Sequence, residues 1–317
     1  MRNRWIPLLL LLTTGAAHAQ NYPVKPIRMI VPVPPGGIID VVGRLLGQKM
    51  TEQTGQTVII DNRTGGLTSV GSEMVARSPG DGYTLLLQSL PMVINPAMLG
   101  KMSYDYEKDL APISLVVTSP YLLVVHPSVP AKSIKELIAV AKAQPGRITY
   151  SSSGNASNLH VAVELFAGMA GVKMLHIPYK GGGPALTAVL GGEADLSALA
   201  VSAVMPHINA GRMRALAITS SKRLPALPQI PAAAEAVPGY DFASWVGVLA
   251  PASTPAALVS AINSIVVKAA RAPDLVDRFT KDATDVVANS PAEFRSFIQS
   301  EAKRWAKVVK DSGMRAD

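Results

Sequence analysis

The chain has 317 residues, no cysteine and a formal net charge of +8. Without cysteine it forms neither disulfides nor thiolate metal sites, and its length allows two domains of ordinary size whose cores need no such staples. The basic residues form no block and aromatics make up only 5% of the chain, so nucleic acid is not expected as a partner; a weak attraction for anionic ligands is the economical use of the charge.

The start, Met1-Arg2-Asn3-Arg4, is basic. A short apolar run from Trp5 to Leu12 follows, and Ala17-His18-Ala19 is a small-residue cleavage site. These are the parts of a secretory leader. Residues 1–19 are expected to be removed as a signal peptide, leaving Gln20 first in an exported protein. The run is too short to span a bilayer, and no later stretch reads as a membrane helix.

Ile27 to Val33 is apolar and β-branched, the pattern of a buried strand. Pro34-Pro35-Gly36-Gly37 ends it, because proline cannot continue a central ladder and glycine frees the backbone to turn. Asp40 then opens a helix carrying Val41, Val42, Leu45 and Leu46. A strand, a glycine loop and a helix N-terminus form the junction where α/β proteins bind ligands. Unpaired N–H groups and the helix dipole suit an anion there. The loop lacks the lysine and hydroxyl of a phosphate-binding loop and is not G-x-G-x-x-G, so a small carboxylate is expected rather than a nucleotide. Asp40 is the best-placed carboxylate, with helix capping as its plainer role.

Thr57 to Asp61 reads as a second strand and Tyr83 to Gln88 as a third, the latter ending at Ser89. Strands alternating with helices predict a parallel sheet. Residues 101–112 read as irregular. Ile113 to Val117 and Tyr121 to Val125 read as two strands separated by Thr118-Ser119-Pro120, with a crossover between domains nearby. Ser133-Ile134-Lys135-Glu136 is a capping box. Arg147 to Tyr150 is a strand, and a polar loop follows it: Ser151, Ser152, Ser153, Gly154, Asn155, Ala156, Ser157 and Asn158. One helix cap needs one hydroxyl and four are present, so the loop is also a candidate cradle for a ligand carboxylate.

Lys173 to Tyr179 is the next strand, and Gly181-Gly182-Gly183 again lets the backbone approach something closely. Glu193 to Leu199 and Arg214 to Thr219 are strands, with Ser202 capping a short helix between them. The proline-rich stretch from Pro225 to Gly239 reads as a long surface connection, with one helical turn at 232–236. Phe242 to Ala250 is a second crossover strand. Thr254-Pro255 begins an amphipathic helix. Ser290-Pro291-Ala292-Glu293 is another capping box, opening a last helix that runs to about Ser312.

Nothing points firmly to catalysis. The histidines lack H-E-x-x-H spacing, G-x-S-x-G is absent, and no base can be assigned to Ser152 or Ser153. No metal or cofactor is expected.

Several short stretches together resemble one family. Tyr22 to Arg28 (Y-P-V-K-P-I-R), Val31 to Asp40, Asp61 to Arg63 (D-N-R), Asp81 to Leu87, Ile94 to Pro96, Ser152 to His160, Pro178 to Gly181 (P-Y-K-G), Arg214 to Thr219 and Trp245 to Pro255 are similar, in this order, to the tripartite tricarboxylate transporter receptors, or Bug-type periplasmic solute-binding proteins. The resemblance implies an α/β, two-lobed periplasmic-binding-protein (Venus flytrap, type II) fold with two crossover strands. Residues 20–121 plus 243–317 would form lobe one and 122–242 lobe two. It further implies capture of a small carboxylate between the lobes and delivery to a two-component membrane permease by a monomeric, non-enzymatic receptor. An exported enzyme using the same cleft, and a ligand sensor docking on a histidine-kinase receptor, stand as alternatives.

The same resemblance places ligand contacts on Pro35, Gly36, Gly37, Ile38, Ile39 and Asp40 in lobe one. In lobe two it places them on Ser152, Ser153, Asn155, Ser157 and Asn158. Tyr179, Lys180 and Gly181 border the cleft, and Ser89 faces it. Two departures stand out. The family's usual P-G-G-G-T-D is here Pro35-Gly36-Gly37-Ile38-Ile39-Asp40, and an acid common near the end of a later strand is replaced by Leu199, followed by Ala200. Both make the cleft more apolar. The lost acid argues against an amino-acid ligand, and a carboxylate with an apolar or aromatic body is expected.

Overall fold

The computed structural model describes residues 22–100 and 102–312. The expected leader lies outside the described residues. The chain begins β1 (Ile27–Val31), α1 (Ile38–Thr54), β2 (Val58–Asn62), α2 (Ser69–Ala76), β3 (Thr84–Gln88), α3 (Pro91–Leu99) and α4 (Tyr106–Asp109). The long strand β4 (Leu110–Val125) follows. Next come α5 (Ile134–Ala143), β5 (Thr149–Ser152), α6 (Asn158–Ala170), β6 (Leu175–Pro178), α7 (Gly182–Leu190), β7 (Leu196–Ala200), α8 (Val201–Asn209) and β8 (Arg214–Ile218). The chain closes with β9 (Ala243–Pro251), α9 (Ala256–Ala270), α10 (Pro273–Lys281), β10 (Asp285–Val286) and α11 (Pro291–Ser312).

Among the described residues the strands join in the order β2-β1-β3-β9-β4-β7-β5-β6, with β8 and β10 also paired to β4. β1 is parallel to β2 and β3, and β5 is parallel to β6 and β7. Each parallel group needs helical crossovers, which explains the strand–helix alternation of the sequence. All these strands point their carboxyl ends at loops that start helices.

β4 divides the molecule. Its first part, Leu110 to Pro120, pairs with β9; its last part, Tyr121 to Val125, pairs with β7 and β8. The sequence pattern suggested two strands here, but the chain is one continuous strand of 16 residues. Thr118, Ser119 and Pro120 do not interrupt it because they lie opposite Trp245, Ser244 and Ala243. Pro120 faces the first residue of β9, where a missing donor costs little. Register shifts after Pro112 and Leu115 absorb the other irregularities.

The return passage runs through residues 240–242 into β9, which itself starts at Ala243. Thr219 ties the two passages together. Its amide donates to Tyr121 O and its carbonyl accepts from Phe242 N. Its hydroxyl accepts from Tyr121 N at 2.7 Å and donates to Phe242 O at 2.8 Å.

One core lies between β1, β3, β4 and β9 on one side and α1 and α9 on the other, built on Met29, Val42, Leu46, Leu87, Ile262 and Val266. A larger one continues from β4 through β5, β7, α6 and α11. α11 seals it with Phe294 and Phe297 edge-on to Trp245, and Trp305 edge-on to Phe242.

Other differences from the sequence reading have local causes. Residues 91–99 form α3, because Pro91 suits a first helical turn. Part of 101–112 is α4, capped by Asp105, and β4 already begins at Leu110. α8 starts at Val201, so Ser202 is not its cap. The 225–239 stretch is not simply a surface connection. Ile230, Ala232, Ala233 and Val237 are buried, and Tyr240 just beyond it packs edge-on to Phe166 and donates to Ala162 O. The helical turn expected there is present at Ala233–Glu235.

Candidate functional site

A cavity of about 500 Å3 lies between the two parts of the sheet. Its wall is made of the turns that leave β1, β5, β6 and β7 together with the Thr64–Thr68 turn before α2. Several helices therefore begin at the same space. α1, α2, α7 and α8 have no side-chain cap; their N-cap residues are Gly37, Thr68, Gly181 and Ala200. In α1 the first intrahelical bond runs from Val41 N to Gly37 O, and in α7 from Ala185 N to Gly181 O. The amides before these positions lie beyond the helical ladder, and a helix leaves its first turn of donors without intrahelical partners. Converging helix N-termini also give the space a positive potential.

The β1–α1 turn is held by Asp40. This side chain is buried and accepts four hydrogen bonds: Gly36 N at 3.0 Å, Arg44 Nε at 3.0 Å, Arg44 Nη2 at 2.9 Å and Asn62 Nδ2 at 2.9 Å. Burial by itself raises its pKa, but the bonds from Arg44, Gly36 and Asn62 outweigh that and hold the carboxyl below its ordinary value. Asp40 is thus neither an N-cap nor part of the cavity wall; it clamps the glycine turn from behind. Gly36 takes φ +90°, a conformation that costs glycine little.

The β5–α6 turn is self-structured. Ser157 caps α6 by accepting His160 N at 3.3 Å. Ser157 N donates to Gly154 O, and Ser152 O accepts from Tyr179 N. Replacing Ser157 by alanine is expected to lower stability by about 1 kcal/mol, the ordinary value of an N-cap hydroxyl, measured as a lower urea midpoint at constant slope. An unchanged midpoint would show that the cap contributes nothing in solution.

Asn158 bridges the two parts of the sheet. Its amide donates to Ser89 Oγ at 3.0 Å and to Ser244 Oγ at 2.8 Å. The Tyr121 hydroxyl is buried beside Asn158 and Ser244 without a well-formed hydrogen bond, and burial pushes its pKa up to about 12. At the opposite side, a Cβ on Gly181 would lie 3.6 Å from Pro34 Cβ, an ordinary contact distance, so the β6–α7 turn sits against the β1–α1 turn, and the φ of +110° rather than lack of space favours glycine there.

The rest of the wall is apolar: Ile38, Ile39, Leu67, Leu159, Leu186 and Leu199 all face the space. Lys180 is the only charged side chain on it among the described residues, and it is exposed. No group of three or more His, Asp or Glu side chains among the described residues could hold a metal ion, and no helix there is long and apolar enough to cross a membrane.

Residues 42–314 match the profile of the Tripartite tricarboxylate transporter family receptor family. The chain belongs to this family. It is 36% identical over 311 residues to protein BugT of Bordetella pertussis, covering 96% of this chain and 95% of that one. It is similar to a structure of an R. palustris protein with adipate, at 33% identity and a TM-score of 0.88, over 93% of this chain and 99% of that one. It is also similar to MatC from Rhodopseudomonas palustris with bound malate, at 29% identity and a TM-score of 0.85, over 91% and 100% of the two chains. The periplasmic-binding-protein fold expected from the sequence is therefore the fold of this receptor, and the chain is a solute-binding receptor of the Bug type.

In this receptor the cavity gathers Gly36, Gly37, Ile38, Ile39, Ser153, Asn155, Ser157, Asn158, Tyr179, Lys180, Gly181, Leu199 and Ala200 of the residues singled out from the sequence. Asp40, Ser89 and Ser152 are buried behind that wall, and Pro35 is exposed outside it. The Ser152 hydroxyl turns to His176 Nε2 at 2.6 Å and to Gly154. The sequence reading passed over the Thr64–Thr68 turn, Pro91, Tyr121 and Leu186, all of which line the cavity. Asn62-Arg63-Thr64-Gly65-Gly66 did carry a glycine-turn signal after β2; its place opposite the β1–α1 turn follows only from sheet order.

Proposed function

We propose that this receptor captures a small carboxylate with an apolar or aromatic body and delivers it to a two-component, tripartite tricarboxylate-type membrane permease. The observation that carries the reading is the pairing of uncapped helix N-termini with a wall of isoleucine and leucine around one cavity. The amides at Gly37 to Ile39 and Gly182 to Gly183, with Ser153, Asn155 and Lys180, supply donors to carboxylate oxygens. Charge-assisted bonds of this kind contribute about 1.5–3 kcal/mol each. Ile38, Ile39 and Leu199 receive the hydrocarbon body and offer nothing to an ammonium group. The adipate and malate of the two similar structures support the carboxylate class.

Residues 20–121 with 243–317 act as one lobe and 122–242 as the other. They close about the passages at Tyr121 and Ala243. The chain works as a monomer in the periplasm after loss of its leader, and carries out no bond chemistry: binding, closure and release are the whole cycle.

A thermal-shift series on the leaderless protein tests the reading. Hexanoate, adipate, benzoate and citrate are the probes. An acid that binds only the folded chain stabilises it by about 2.7 kcal/mol at a hundredfold excess over its dissociation constant. Apolar-bodied acids are expected to raise the melting temperature and citrate to leave it unchanged. Citrate as the strongest ligand would overturn the apolar preference. No shift with any acid, in protein that mass spectrometry shows to be ligand-free, would overturn the carboxylate class.

A further inference from the structure

Behind the polar turn of the second half stands a stack of rings that the binding site does not use. His160 on α6 lies over His176 on β6, with centroids 4.1 Å apart and planes 12° apart. The Tyr150 ring on β5 lies beside both, 4.9 Å from His176 and 6.2 Å from His160 and nearly parallel to each, and its hydroxyl donates to Glu164 Oε1. His160 is 5% exposed and is not part of the cavity wall. Its Nδ1 accepts the Ala156 amide at 3.0 Å, which places the proton of the neutral ring on Nε2.

Ala156 does line the cavity. It takes φ +55°, a left-handed conformation that an alanine adopts only when its surroundings impose it. In that conformation its buried N–H points away from the ladder of α6, and the imidazole is the acceptor that satisfies it. An acceptor four residues along the chain, fixed by stacking between strand and helix, leaves the turn one shape. The same stack reaches the turn a second time: His176 Nε2 lies against Ser152 Oγ, which donates to Gly154 O at 3.0 Å and accepts Gly154 N at 3.1 Å.

We infer that His160 is the positioning residue of the ligand-binding turn: through Nδ1 it holds Ala156 left-handed, so that Ser153 and Asn155 face the cavity with their donors already in place. This rests on the carboxylate reading of the cavity. His160 itself touches no ligand. Its contribution is preorganisation, since a turn that is already ordered loses less entropy when the ligand arrives.

Two substitutions separate this role from plain core packing. His160→Leu keeps an apolar side chain but strips the acceptor from Ala156 N. His160→Asn keeps an acceptor oxygen at the position of Nδ1 while removing most of the stacked ring. Amide hydrogen exchange of residues 153–157 and the dissociation constants of adipate and hexanoate are measured for both. The expected result for His160→Leu is exchange at least tenfold faster in that segment, unchanged exchange in β1, β3 and α9, and binding at least tenfold weaker. His160→Asn is expected to return both quantities to within about threefold of the unmodified chain. Wild-type exchange in His160→Leu, or His160→Asn behaving no better than His160→Leu, overturns the inference. Exchange that quickens over the whole chain in His160→Leu but not in His160→Asn would still leave the asparagine comparison of binding to decide it. If the unmodified chain binds neither acid, the carboxylate reading fails, and the exchange comparison in the free protein alone decides the role of His160.

Discussion

Lowering the pH from 6.5 to 4 is expected to remove about 3 kcal/mol of stability through His160 alone. Burial is the first cause and the neighbouring His176 the second; together they lower the His160 pKa from 6.5 to about 3. In the unfolded chain the ring takes a proton below about 6.5. Between those two values the unfolded state binds one more proton than the folded state, so unfolding becomes easier as the solution is acidified. The slope approaches about 1.4 kcal/mol per pH unit. The contribution is whole above pH 6.5 and fades as the pH falls towards 3. The groups around the ring are His176, the Tyr150 hydroxyl and, behind it, Glu164.

Carboxylates add to acid destabilisation below about pH 4.5, since Asp40, Asp61 and Glu293 are all held below their ordinary values. His160→Asn cancels that background. Urea unfolding of both proteins at half-unit steps gives the difference directly. The gap between the unmodified chain and the variant should shrink steadily from pH 6.5 downwards. Parallel curves would mean that His160 is protonated in the folded state and that the Ala156 bond is not made.

The second large effect concerns Asp40. Its four accepted hydrogen bonds join Gly36, Arg44 and Asn62. Asp40→Ala deletes the clamp of the β1–α1 turn. Arg44 is half exposed and finds water, and Asn62 keeps its bond to Val33 O, so the loss comes chiefly from the buried carboxylate and from the Gly36 amide. We expect about 3 kcal/mol of lost stability, in the range for breaking a buried network, together with carboxylate binding weaker by tenfold or more, because Gly37 and the first turn of α1 lose their support. Asp40→Asn keeps the shape but not the charge and should fall between. Calorimetric titration with adipate alongside urea unfolding reads both quantities. Undiminished affinity in Asp40→Ala would show that the turn keeps its shape without the clamp.

These two residues also show why the site was only partly legible. Asp40 stood out because it opens a helix after two glycines, and the alternation of strands and helices told that this end of the sheet holds the site. Its role was misjudged, since capping and clamping use the same carboxylate and differ only in which amide lies within reach. Asn62 and Arg44 settle that, and Asn62 is 22 positions away. His160 did not stand out, since the histidines have no metal-ligand spacing and nothing local ties one to another. The pairing with His176 depends on β5 and β6 being neighbours and on α6 crossing over them.

Composition, the leader-like start, the period-two and period-3.6 patterns and the glycine turns were determined by the sequence itself, because each depends on residues within one or two turns of one another. The capping box at Ser290 formed as read, with Ser290 and Glu293 bonding reciprocally. Long-range arrangement was decided by the tertiary structure: the continuity of β4 through Pro120, the bridge from Asn158 to Ser89 and Ser244, the burial of Tyr240, and the entry of Thr64, Tyr121 and Leu186 into the cavity wall. These depend on which strand lies beside which, and strand order is an outcome of burying the whole apolar surface at once rather than a property of any local stretch.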